Sequence, residues 1–114
     1  MQRGVSIRLV DDMPDGIWGR TDGVSIVYLA RDLLDFEARS VLAHELIHIE
    51  RGHTRSQPPE VEHEVTKEAA RRLITPADLE QALSLYSDRK QIAAHLLVIE
   101  DVLKHVLPTT AVAG

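Results

Sequence analysis

The sequence predicts an α+β domain, on three observations. Two short runs near the start, VSIRLV at 5–10 and VSIVYL at 24–29, are rich in β-branched residues and partly alternate apolar with polar positions, as strands do. From residue 35 onward the apolar positions instead recur every three or four residues, the period of helices that bury one face. The chain has 114 residues, 44% hydrophobic and 27% charged, which suits one small hydrophobic core.

Each element follows from local chemistry. Asp-Gly pairs at 15–16 and 22–23 punctuate the first part, so two or three short antiparallel strands are expected over about 5–29. Phe36, Val41, Leu42, Leu46 and Ile49 then keep helical spacing, giving a helix over about 36–52 with Gly52 as its stop. The turn formers of HTRSQPP separate it from a second helix over about 60–74, whose first turn the Pro58-Pro59 pair pre-sets. Thr75, Pro76 and Asp78 have the logic of a new start: a hydroxyl cap, a proline in the first turn and an acid three residues after the cap. Two short helices should follow, over 77–86 and 89–106. The second is expected to break near Val98, because Ile92, Ala93, Leu96, Val102, Leu103 and Val106 do not hold one face. The tail, 108–114, reads as frayed.

Composition excludes several function classes. Thirteen Lys and Arg against eighteen Asp and Glu give a formal charge of −5, the wrong sign for wrapping a nucleic acid or an anionic membrane. Without cysteine there is no disulfide, thiolate nucleophile or iron–sulfur cluster, and any metal must be held by His, Asp and Glu. No apolar run approaches the roughly 20 residues of a membrane span, and the start lacks the apolar core of a signal peptide. The expected compartment is the cytoplasm.

The chemistry concentrates in His44-Glu45-Leu46-Ile47-His48, within the clearest helical pattern of the chain. Residues i and i+4 stand one above the other on a helix, so two imidazoles aim at one point. A single turn spans two vertices of a tetrahedral zinc site without strain. Glu45 is rotated away from that point, placed to take a proton from an attacking water and later deliver it to a leaving amine. Val41, Leu42, Leu46, Ile47 and Ile49 flank these polar groups, so the helix lies against a core, where unpaired imidazoles and a carboxylate would be costly.

A catalytic zinc needs a third protein ligand and an open fourth position. The spacing of metzincins would require Gly and His three and six residues after the second histidine, where Arg51 and Thr54 stand. The third ligand should therefore come from the next helix, which opens Glu60-Val61-Glu62-His63-Glu64. The stripe 62, 66, 69, 73 directs Glu62 inward and is favoured. The stripe 63, 66, 70, 73 keeps His63 as the alternative. Glu60 and Glu64 read as a solvated acidic first turn that complements the helix dipole.

Over roughly residues 16–76 the chain resembles the ImmA/IrrE-type metallo-endopeptidases of bacteria and their mobile elements. The resemblance lies in the strand VSIVYL, the helix RSVLAHELIHIERGH and the following EVEHEVTKEAARRLITP. It implies a minimal zincin-like fold, with antiparallel N-terminal strands packed on the HExxH helix, then a ligand-bearing helix and two or three short C-terminal helices. It implies Zn2+ as cofactor, His44 and His48 as ligands, Glu45 as general base and Glu62 as third ligand. The second helix departs from the family in having Thr66-Lys67 in place of the usual Ala-Asn pair, and registering it on its apolar end places His63 at the ligand position. The implied partner is a protein substrate, most often a helix-turn-helix repressor or other transcriptional regulator.

Other polar and aromatic residues have plainer readings. His53, just after Gly52, is a second-tier candidate that would stabilise an oxyanion or orient substrate; its ordinary role is to cap the helix end. Trp18 and Tyr28 read as core or edge packing, with a substrate groove as the alternative, and His95 and His105 as surface or packing residues. The segment 89–107 carries Glu100 and Asp101 where a DNA-reading helix needs donors, so it reads as packing and not as a nucleic-acid contact. Three functional readings result: a zinc endopeptidase, a zinc-stabilised module that controls a regulator by contact alone, and a metal-free helical adaptor.

Overall fold

A computed structural model describes residues 4–107 of the chain; the tail read as frayed, 108–114, lies outside them. Three strands, β1 (Ser6–Val10), β2 (Gly19–Thr21) and β3 (Ile26–Ala30), precede five helices. These are α1 (Asp35–Glu50), α2 (Pro59–Leu73), α3 (Pro76–Leu85), α4 (Arg89–Leu96) and α5 (Glu100–Leu103). The domain is α+β, as expected.

The strand directions correct one expectation. β2 and β3 pair antiparallel, but β1 pairs parallel to β3, with Ser6 opposite Ile26 and Val10 opposite Ala30. The sheet order is β1-β3-β2, so β3 is central. The chain still reverses at each connection; inserting β3 between the first two strands makes neighbours of two strands that run the same way. Alternation reports that a segment is a strand and says nothing of its neighbour. The tight connection is the one after β2, where the Asp22 carboxylate accepts the N–H groups of Val24, Ser25 and Ile26 at 2.8–3.0 Å. Those bonds hold its carboxyl below the usual range.

The layers stack in sequence order. Val27 and Leu29 of β3 pack on Ile49, with Ala38, Val41, Leu42 and Leu46 of α1 around them. The other side of α1 meets α2 through Ile47, Val65 and Ala69, all fully buried. The C-terminal half of α2 then carries a third cluster, where Ala70 and Ile74 meet Ala82, Ile92, Val98 and Leu103 of the last helices and their joint. Helix α1 is thus sandwiched between sheet and helix, so the polar face carrying His44 and His48 has to emerge along one narrow edge.

Specific contacts set the ends of these helices. Thr75 Oγ1 accepts the Asp78 N–H at 3.1 Å and Pro76 opens α3, as its sequence requires. Glu37 accepts the Leu34 N–H at 2.9 Å at the start of α1, where Leu34 has no acceptor to return. The Arg39 guanidinium donates to the carbonyls of Leu73, Leu96 and Leu97, joining α1 to the C-terminal ends of α2 and α4. The expected break falls at Leu97, whose left-handed φ of 59° ends α4, and the buried Ser40 hydroxyl accepts the Ile99 N–H just before α5. Gly19 lets β2 approach α1 closely: a Cβ there would lie 2.3 Å from a Val41 methyl. Among the described residues no helix is long and apolar enough to cross a membrane.

Candidate metal centre

His44 and His48 project from the same edge of α1, and Glu62 meets them from the first turns of α2. His44 Nε2 lies 2.9 Å from Glu62 Oε1, His48 Nε2 lies 3.1 Å from the same oxygen, and the two Nε2 atoms are 3.2 Å apart. The ligand atoms form a triangle only slightly tighter than the edge of about 3.3 Å between donors of a tetrahedral zinc with bonds near 2.0–2.1 Å. His63, one residue on, faces elsewhere and is exposed; its ring packs edge-on against His105, with centroids 4.8 Å apart. Glu62 is therefore the residue of the pair that α2 brings to the histidines.

The surrounding hydrogen bonds orient both imidazoles. Thr66, one turn after Glu62, places its hydroxyl 3.1 Å from both the Glu62 carbonyl oxygen and Nδ1 of His44; donating its proton to the carbonyl, it accepts from Nδ1–H of His44. That leaves the His44 Nε2 lone pair aimed at Glu62. On His48, Nδ1 lies 2.9 Å from Nδ1 of His53, an arrangement that lets His48 donate there and keep its Nε2 lone pair inward. Gly52, with φ of 71°, turns the chain so that the His53 N–H returns to the His48 carbonyl at 2.9 Å and its ring reaches the ligand ring. His53 therefore sits behind His48, a relation its sequence position did not reveal. In the sequence Thr66 was visible as a polar member of both candidate stripes and in the Thr66-Lys67 pair, without a role at the site.

Two imidazole lone pairs and a carboxylate oxygen within 3.2 Å repel one another unless a proton or a cation stands among them. Protonation is disfavoured at His48: desolvation pulls its pKa below the ordinary value, and the Glu62 charge only partly offsets this. Burial would raise Glu62, but with no metal bound, hydrogen bonds donated by imidazole N–H groups of His44 and His48, and their charge, outweigh it and hold the carboxyl below its usual range. His44, His48 and Glu62 can thus hold a metal ion, and the donor set of neutral nitrogen and carboxylate oxygen suits zinc among others.

Glu45 is not in this triangle. It is 9% exposed and lies where two cavities meet. Burial, with the Glu62 charge second, raises its pKa to about 7. One cavity, about 360 Å3, runs from His44 and Glu45 over Trp18 to α5; the other, about 520 Å3, runs from Glu45 and His48 past Arg20 and His53 to Arg55. Trp18, 41% exposed, borders the first cavity, so the groove reading fits it better than core packing. Tyr28 lies under the Arg20 guanidinium, and His95 packs on Tyr86. Glu60 and Glu64 are exposed.

The fold and site together define a small α+β domain with a two-histidine, one-carboxylate centre. Compared with known protein families, curated proteins and solved structures, the chain matches none.

Proposed function

We propose that the protein is a zinc-dependent endopeptidase of the ImmA/IrrE type, acting on a partner regulatory protein of the helix-turn-helix class. The observation that carries this reading is the convergence of His44, His48 and Glu62 on one point, with Glu45 beside them at the junction of two cavities. Zinc, when bound, supplies a Lewis acid that polarises the scissile carbonyl and makes water a better nucleophile at neutral pH. The chain supplies the rest. Glu45 accepts the proton of the attacking water and hands it to the departing amide nitrogen, while Thr66 and His53 keep the imidazoles aligned. β2 is an edge strand, and Gly19, Arg20 and Thr21 line the larger cavity, so an extended segment of the substrate adds to it by main-chain hydrogen bonds.

Zinc content, anomalous diffraction at the zinc edge and cleavage of a helix-turn-helix regulator test this together. One zinc on the three ligands, with cleavage lost in a Glu45→Gln protein that keeps its zinc, is the expected result. Absence of stoichiometric zinc, or cleavage by Glu45→Gln, overturns it. A contact-only module is the second reading, favoured by the small core that α1 and α2 share at Ile47, Val65 and Ala69, which a metal clip would reinforce. It predicts zinc and a bound, uncut regulator.

A further inference from the structure

The two cavities that meet at Glu45 differ in chemistry. The smaller is walled mainly by apolar groups, Ile17, Val41, Ala69, Ile99 and Val102, with Trp18 among them and Asp101 its charged residue toward α5. The larger is polar: Thr21, Thr54 and Ser56 line it together with Arg20 and Arg55. Its carboxylates, Glu45 and Glu62, lie at the end nearest the histidines, and Glu62 is engaged with both of them. The ion pairs found among the described residues leave Arg20 and Arg55 without a carboxylate partner; Arg20 instead lies 5.5 Å over the Tyr28 ring. Ile17 and Gly19 border both cavities, so a strand laid along this edge enters one on one side of Glu45 and the other on the opposite side.

The geometry points to a composite specificity: the protein selects an extended segment that puts an apolar side chain into the cavity of Trp18 and Val102 and an acidic side chain toward Arg20 and Arg55. This deepens the peptidase reading and rests on it. The smaller cavity, about 360 Å3, admits a side chain of leucine to phenylalanine size, and burying one there removes apolar surface from water on both partners. Asp101 is paired with Lys104 at 2.7 Å, so the register along β2 is set at the other end, where the guanidinium groups of Arg20 and Arg55 attract an acid and repel a base. At about 3.3 Å per residue, spacings of one to four positions sample separations up to about 13 Å along the segment.

The test is binding, measured by fluorescence anisotropy on the zinc-loaded full-length Glu45→Gln protein. The probes are fluorescein-labelled Gly/Ser dodecapeptides carrying one Leu and one Glu at spacings of one to four residues, in both orders, with Leu→Gly and Glu→Lys controls. At one spacing, each control should bind about tenfold more weakly. The Glu preference should collapse at 0.5 M NaCl. Trp18→Ala, at an exposed wall, should erase the Leu preference only, and the double variant Arg20→Glu, Arg55→Glu should invert the Glu preference only. Equal binding of the Leu and Gly probes, or of the Glu and Lys probes, at every spacing overturns the assignment. Cleavage by the wild-type protein is scored separately: selective binding without cleavage leaves the two cavities assigned and defeats the peptidase reading, whereas cleavage without selectivity does the reverse.

Discussion

Thr66 and His44 are joined by a hydrogen bond of 3.1 Å, and the same Thr66 hydroxyl lies 3.1 Å from the Glu62 carbonyl oxygen one turn earlier. With the hydroxyl proton on that carbonyl, Thr66 accepts from Nδ1–H of His44 and leaves Nε2 free for a metal, and it does so from the helix that also carries Glu62.

Removing that acceptor should weaken the centre without dismantling the fold. Thr66→Val keeps the shape and loses the hydrogen bond, and loss of such an outer partner typically costs 10–100-fold in metal affinity. Thr66→Ser should bind nearly as tightly as the wild type. Competition with a chromogenic chelator reads both, and wild-type affinity in Thr66→Val would remove Thr66 from the centre.

Glu62 and His63 should separate cleanly. Glu62→Ala leaves two histidines alone and should lose stoichiometric zinc, while His63→Ala, which disturbs only the packing on His105, should retain it. Because the metal binds the folded chain, zinc at 100 times its Kd adds about 2.7 kcal/mol to stability. Chelation should therefore lower the thermal midpoint of the wild type and of His63→Ala, and leave that of Glu62→Ala unmoved.

The Glu45 carboxyl should leave a mark on the pH dependence of the metal-free protein. Its pKa is about 7 in the fold against an ordinary 4.5, so the fold favours the protonated form. The associated stability is fully present below pH 4.5 and is lost as pH rises through about 7, a contribution of about 3 kcal/mol at most. His48, lowered by desolvation, acts the other way, gaining above its ordinary value and losing as pH falls through its folded one. Comparison with Glu45→Gln isolates the first effect: the variant should match the wild type at pH 4.5 and exceed it at pH 8 in urea unfolding. Parallel curves across that window would contradict the buried placement of Glu45.

Arg39 offers a test of the fold apart from the site. Its guanidinium donates to three carbonyls at two helix ends, so Arg39→Ala should cost about 1–3 kcal/mol in urea unfolding. Arg39→Lys, with one charged head in place of a planar fork, should recover only part of it.

The sequence by itself determined what lies within a turn or two of its own chain. His44 and His48 share a face because they are four residues apart on a helix; α3 begins where Thr75 caps it; the C-terminal segment breaks where its apolar face fails, at Leu97. The absence of cysteine likewise limits any metal to nitrogen and oxygen donors. Tertiary structure decided what depends on how one element sits on another. Neighbouring residues on a helix point about 100° apart, so the choice between Glu62 and His63 waits on the packing of Val65 and Ala69 against Ile47, which turns Glu62 toward the histidines and His63 toward His105. The parallel pairing of β1 with β3, and the placing of His53 behind His48, are also contacts between separate segments. Local periodicity carries no information about the order of strands in a sheet or the direction of a chain after a left-handed glycine; the burial of Val27, Leu29 and Ile49 in one cluster does.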